Sequence, residues 1–169
     1  MQSELFGSFA TVTERMVIDA SVAIKWFLTD SQESDTDIAE EILTAFLADD
    51  LELHAPRVFT YECCHALTKA CLTRMPITGS RLTRERAVRC VAELFQLPIR
   101  FSEASEAEGR EALEMGVKHS KQHADMTYVR LAEFLDCQWC TAVVKFLEAL
   151  HASFPRNRVV VLSSLRRAS

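Results

Sequence analysis

The sequence predicts an α/β fold: a single domain built on a five-stranded parallel sheet with helices on both faces. Three observations carry this. Five short apolar segments, at 16–19, 51–55, 97–101, 137–142 and 157–163, alternate with stretches of helical periodicity. Strands alternating with helices imply right-handed crossovers, hence parallel neighbours and a sheet covered on both sides. At 169 residues and 49% hydrophobic content, with no internal repeat or low-complexity linker, the chain is long enough to bury one sizeable core.

In chain order, the first strand is Met16, Val17 and Ile18, ending in Asp19. Ser21 then serves as the expected N-cap of a helix over 21–28, SVAIKWFL. Ile38, Ile42, Leu43, Phe46 and Leu47 recur at helical spacing between Asp35 and Leu47. Leu51–Ala55 is the second strand, closed by Pro56. A helix over 57–74 follows, with Phe59, Cys63, Ala66, Leu67 and Ala70 along one side. The breaker cluster Pro76–Gly79 separates it from a helix over 83–96. Leu97–Phe101 is the third strand and 105–118 a helix; a helix over 124–135 leads into the fourth strand, Cys137–Ala142. Residues 143–153 read as helix and 157–163 as the last strand.

The formal net charge of −5 hides an asymmetry. Nine acids and no Lys or Arg lie between Asp30 and Glu52, which reads as a solvated helix face. The rest of the chain carries all 19 Lys and Arg, so a polyanionic partner is not excluded. No apolar run approaches the roughly 20 residues that span a bilayer, and residues 1–15 lack the basic start and apolar core of a secretory signal. Cytoplasm is the default compartment. The six cysteines (63, 64, 71, 90, 137 and 140) read as small buried hydrophobes, since the lone CxxC at Cys137 and Cys140 has no second pair to complete a tetrahedral metal site.

Ligands of such sheets bind beyond the carboxyl ends of the strands. Asp19 stands there after the first strand, and Val143 follows the fourth. A carboxylate at the end of a buried strand costs desolvation energy unless something compensates it. Two further acids lie near helix starts. Glu62 borders the buried stripe of its helix, either as a site acid or as a rim carboxylate paired with Lys69 or Arg57. Asp125 opens the helix over 124–135, where the helix dipole alone favours an acid by about 0.3–1 kcal/mol. Three carboxylates brought to one sheet edge repel one another, and a hard cation such as Mg²⁺ resolves the repulsion. Such an ion serves metal-assisted phosphodiester hydrolysis. Only four glycines and no Gly-rich loop argue against another kind of phosphate-handling enzyme.

Three stretches carry a family resemblance: VIDASVAIKWFL (17–28), APRVFTYECCHALTKA (55–70) and HADMTYVRLAEFLDCQWCTAVVKF (123–146). From about Met16 to Leu162 the chain resembles PIN domains, in particular the VapC-type toxins of bacterial toxin–antitoxin pairs. The resemblance implies a PIN-like domain over 16–165 with a five-stranded parallel sheet, and a Mg²⁺- or Mn²⁺-dependent endoribonuclease. By position it assigns Asp19, Glu62 and Asp125 as catalytic, metal-holding acids, with Ser21 and Thr141 as supporting hydroxyls. It further implies an RNA substrate, a cognate antitoxin whose basic segment enters the acidic site, and a homodimer.

One departure stands out. The family usually carries an acid two residues after the threonine of its last motif, and this chain has Val143 there. The substitution implies either a weaker or single-metal site, or a domain that binds RNA or protein without cleaving. Residues 1–15 lie outside the resemblance, as an upstream start or a short partner-binding extension. Arg81, Arg84, Arg86 and Arg89 form the densest basic stretch; they are candidate RNA contacts on the resemblance, or an ordinary exposed helix balanced by Glu85 and Glu93. His119 and His123 have a zinc-chelating spacing but read as solvated surface, and Trp26 reads as a core or dimer contact.

Overall fold

The computed structural model describes residues 14–30, 32–75, 79–147, 150 and 152–166. Strand β1 (Glu14–Ile18) leads into a short helix α1 (Ala20–Ala23), a 3₁₀ turn over Ile24–Trp26 and helix α2 (Thr36–Leu47). Then come β2 (Leu51–Pro56), α3 (Val58–Leu72), α4 (Arg84–Gln96) and β3 (Arg100–Ser102). Helices α5 (Glu106–His119) and α6 (His123–Phe134) precede β4 (Gln138–Thr141), and β5 (Val159–Val161) ends the sheet. β1 begins at Glu14, so two of the fifteen residues read as an extension belong to the sheet; residues 1–13 lie outside the described residues, as do 76–78 of the breaker cluster.

All strand pairs are parallel, in the order β3-β2-β1-β4-β5. The chain adds strands outward from β1 through β2 to β3, then crosses to the far side of β1 for β4 and β5. With right-handed crossovers this order puts the helices joining β1, β2 and β3 on one face and α5–α6 on the other. The reversal creates a crevice between the carboxyl ends of β1 and β4, the place where such sheets bind ligands.

The central strands are apolar throughout because they are covered twice. Val17, Ile18, Leu53 and Ala55 of β1 and β2 pack with Val129 and Ala132 of α6 and Ile42 of α2 in one cluster. A smaller cluster of Ile24, Leu28, Leu67, Ala70, Leu82 and Cys90 sits where the first motif meets α3 and α4. The corner that aims α6 at the sheet has its own requirement. Ser120 ends α5 at φ 53°, and a Cβ on Gly116 would stand 3.0 Å from the Lys121 carbonyl, so any larger residue there would push on the turn into α6.

Several expectations shift. The third strand starts at Arg100 rather than Leu97, because Pro98 has no N–H to give the ladder. The helix expected over 143–153 is a 3₁₀ turn over Val144–Leu147, with residues 148, 149 and 151 outside the described ones; it opens on the β-branched pair Val143–Val144, poor helix formers. The last strand pairs only over Val159–Val161, opposite Trp139–Thr141 of β4, and is flanked by 3₁₀ turns.

The acidic run is less solvated than expected. Glu40, Glu41, Asp49 and Asp50 face solvent, but Asp30 and Glu33 grip Arg81, and Glu33 also accepts from Lys25 at 2.7 Å. Asp35 and Asp37 pair with Arg166, and Glu52 lies 3.0 Å from Arg100. All six cysteines are free; Cys63, Cys90 and Cys140 are buried and the others half-buried. His119 is buried with its ring edge-on to Phe154 at 5.1 Å, not solvated, because α5 runs one residue past its expected end and turns it inward. Trp26 packs against the main core and donates Nε1 to the Ala39 carbonyl at 2.8 Å.

Candidate active site

Asp19 leaves β1 at the crevice. Its own N–H continues the sheet pattern by donating to the Cys140 carbonyl of β4 at 3.0 Å. Its backbone is extended (φ −82°, ψ 147°), and its Oδ1 accepts from Ser21 N at 2.7 Å, which makes it the N-cap of α1. The cap is therefore Asp19, not Ser21, which lies two residues further on, inside the helix, and supplies the N–H that is capped. The second carboxylate oxygen, Oδ2, accepts from the Trp139 indole Nε1 at 3.0 Å. Only 8% of Asp19 is exposed. Burial pushes its carboxyl above the usual range, and the bonds from Ser21 and Trp139 pull the other way.

Glu62, in the second turn of α3, is half-buried. Its Oε2 accepts from the Tyr128 hydroxyl at 2.5 Å, whereas Arg57 pairs with Glu103, so the rim pairing with Arg57 does not form. Burial raises its carboxyl, Tyr128 opposes, and the charges of Asp19 and Asp125 raise it further. Asp125 lies in the first turn of α6, where its carboxyl is pushed up to about 6 by burial and then by the charge of Asp19, with Lys121 opposing. The fold thus brings residues 19, 62 and 125, from three separate elements, within reach of one another's charge.

Ser21 and Thr141 serve the backbone that leaves β4. Ser21 Oγ accepts from Ala142 N at 2.9 Å and lies 3.4 Å from Thr141 Oγ1, which accepts from Val143 N at 3.2 Å. The two hydroxyls tie the starts of α1 and of the 143–147 segment together. Val143 is 49% exposed, an apolar side chain just past the end of β4. Among the described residues, no group of three His, Cys, Asp or Glu side chains is drawn together closely enough to hold a metal ion as it stands. The chemistry of the acids nevertheless fits a hard divalent cation: all donors are carboxylate oxygens, and each acid is held above its usual range by burial that such a charge would offset.

The four arginines have separate fates. Arg81 is locked against Asp30 and Glu33, and Arg86 donates to Glu93 at 2.7 Å; Arg84 and Arg89 are exposed on α4. His123 is exposed at the start of α6. Three residues at the site escaped the sequence reading. Trp139 and Tyr128 donate to the acids, and Lys121 donates Nζ to the Phe146 carbonyl at 3.0 Å beside Asp125. A buried indole N–H or phenol O–H always needs an acceptor, and that was the available signal for the two aromatics.

The raised Asp125 carboxyl sets a pH dependence. Its folded value, about 6, exceeds the unfolded 3.8, so ionisation costs the fold stability fully above about pH 6 and not at all below about pH 4. The whole shift corresponds to about 3 kcal/mol; with solvent reaching the half-exposed carboxylate, about 1–2 kcal/mol is expected. Asp125→Asn, without added metal, melts about 2–8 °C higher than the native chain at pH 8, and the gain disappears toward pH 4. Thermal unfolding across that range checks it; a gain that persists at pH 4 assigns the effect to something other than ionisation.

The sequence matches no protein-family model and no curated protein. The fold does match solved structures. The VapC20 toxin of Mycobacterium tuberculosis, which cleaves the sarcin–ricin loop, superposes with a TM-score of 0.54 at 15% identity, over 75% of this chain and 86% of that one. A toxin–antitoxin complex from Klebsiella pneumoniae gives 0.56 at 12% identity, over 87% and 97%. VapBC2 of Rickettsia felis, bound to a fragment of its promoter DNA, gives 0.54 at 10% identity, over 87% and 98%. No helix among the described residues is long and apolar enough to cross a membrane.

Proposed function

We propose, from the PIN-like fold that this chain shares with VapC toxins, that it is a Mg²⁺- or Mn²⁺-dependent endoribonuclease and the toxin of a toxin–antitoxin pair. The observation that supports the reading is the approach of Asp19, Glu62 and Asp125 near the crevice between β1 and β4, where the charge of Asp19 reaches both other acids and that of Asp125 reaches Glu62. These three would hold the ion, which when bound supplies an activated water and neutralises charge developing on the phosphodiester.

The chain's own residues do the rest. Asp19 is the anchor, fixed at both oxygens by Ser21 N and Trp139 Nε1. Glu62 is held by Tyr128, and Glu62 and Asp125 are both half-buried, less enclosed than Asp19. Ser21 and Thr141 hold the backbone past β4, shaping the crevice wall. Arg84 and Arg89 are the arginines of the basic stretch free to meet RNA phosphates, contacts that position a strand without reading its sequence. Around this domain the reading places a homodimer and an antitoxin whose basic segment complements the acids, with residues 1–13 as an extension outside the catalytic unit.

Val143 favours a second reading, a domain that binds RNA or protein without cleaving it. An exposed valine occupies the position past β4 where the resemblance expects a fourth acid. RNA cleavage under titrated Mn²⁺ separates the two. The native chain is expected to cleave, Val143→Asp to cleave faster, and Asp19→Asn to lose the activity. Cleavage by Val143→Asp alone establishes the silent domain. No cleavage by any of the three, with folding intact, removes the metal-site premise.

A further inference from the structure

A pair of stacked aromatic rings lies against the acids, and the proposed chemistry uses each of its two hydrogen bonds singly, leaving the stacking itself without a task. Trp139 is the second residue of β4, and Tyr128 follows Asp125 by one turn of α6; each is 1% exposed. Their ring centroids are 5.5 Å apart with 17° between the planes. Each ring carries one polar hydrogen into the interior, and each delivers it to a different acid: Trp139 Nε1 to Asp19 Oδ2, Tyr128 Oη to Glu62 Oε2. The phenol is the donor of its pair, because an ionised carboxylate has no hydrogen to give.

The stack is itself confined. Phe146, from the turn after β4, meets Trp139 edge-on at 4.8 Å, and Lys121 Nζ lies 4.8 Å from the centre of the Phe146 ring. Rings packed this way move only if the core around them repacks. Two donors on one rigid unit therefore fix where two carboxylates of like charge can stand relative to each other. Each acceptor oxygen has a second lone pair left for another partner.

We infer that Tyr128 and Trp139 are positioning residues of the acidic site: the stacked pair sets the placement of Glu62 and Asp19 and leaves their free lone pairs to a divalent cation. This rests on the metal-binding reading above. Groups that orient metal ligands in this way are typically worth about 10–100-fold in metal affinity.

The direct measurement is calorimetric titration of Mn²⁺ into the native chain, Tyr128→Phe, Trp139→Phe, Glu62→Gln and the double variant Tyr128→Phe with Glu62→Gln. Tyr128→Phe keeps the ring, its stacking and its burial, and removes only Oη, so it folds even where Trp139→Phe does not. Expected is Mn²⁺ binding by the native chain, weakened about 10–100-fold in Tyr128→Phe, with no further loss when Tyr128→Phe is added to Glu62→Gln. A merely structural tyrosine would instead add its full loss in the Glu62→Gln background. In a Trp26→Phe background, emission from Trp139 reports directly: Mn²⁺ is expected to change it in the native site and not in Asp19→Asn. Native binding with Tyr128→Phe binding undiminished overturns the inference alone. No Mn²⁺ binding by the native chain overturns the metal reading, and the inference with it.

Discussion

On the proposed function, Asp19→Asn is expected to lower Mn²⁺-dependent RNA cleavage about a thousandfold, a barrier increase of about 4 kcal/mol, and to leave the chain folded. The size of the effect follows from placement. Asp19 is the most enclosed of the three acids, and its charge is the one both Glu62 and Asp125 feel. Without that charge the remaining two acids are a weaker and less organised pair. The fold survives because asparagine keeps the shape and is as good an N-cap as aspartate, so Ser21 N retains its acceptor. The amide nitrogen then faces Trp139 Nε1, donor against donor, at a cost of about 1–3 kcal/mol. Against this, a buried carboxylate whose ionisation opposes folding is gone. The two changes offset each other, and the melting temperature is expected to move by no more than about 5 °C. Cleavage assayed beside circular dichroism checks both halves. An Asp19→Asn chain that cleaves at the native rate removes Asp19 from the chemistry.

Much of this architecture could be read from residue patterns, and the failures have physical causes. The five strands and their parallel pairing follow from apolar runs too short for helices and from the alternation itself. That alternation also placed Asp19 and Val143 at strand ends before any contact was known. Glu62 and Asp125 were harder. Many acids stand in this chain, and position near a helix start did not single these two out without the family resemblance. What stayed hidden was long-range. Asp30, Glu33 and Arg81 lie on segments that meet only once α3 and α4 fold back on the first motif, so a basic stretch and an acidic stretch each looked solvated. The bonds from Trp139 to Asp19 and from Tyr128 to Glu62 join residues more than sixty positions apart. In a hydropathy pattern an indole and a phenol count only as bulk; their hydrogens, which decide what they hold, leave no periodic trace.

Trp139→Ala is expected to cost about 4–6 kcal/mol of folding stability, and about 10–20 °C in melting temperature, a large share of the roughly 5–15 kcal/mol that holds a domain together. Deleting a large buried aromatic costs about 3–5 kcal/mol through lost transfer energy and the cavity left behind. Here the cavity opens between Tyr128, which stacks on the lost ring, and Phe146, which meets it edge-on, and neither can close it without moving α6 or the turn after β4. Asp19 Oδ2 also loses its donor while still buried, and an orphaned buried acceptor adds its own penalty. The sum stays below simple addition because water entering the cavity can solvate that oxygen. Trp26→Ala is the internal comparison. Trp26 is half-buried and gives its indole hydrogen to a helix carbonyl, Ala39, so its removal leaves no buried charge and a smaller void. Urea unfolding of both variants at one pH is the measurement. A Trp139→Ala chain no less stable than Trp26→Ala would mean that the aromatic stack neither fills the centre of the sheet nor braces the acid beside it.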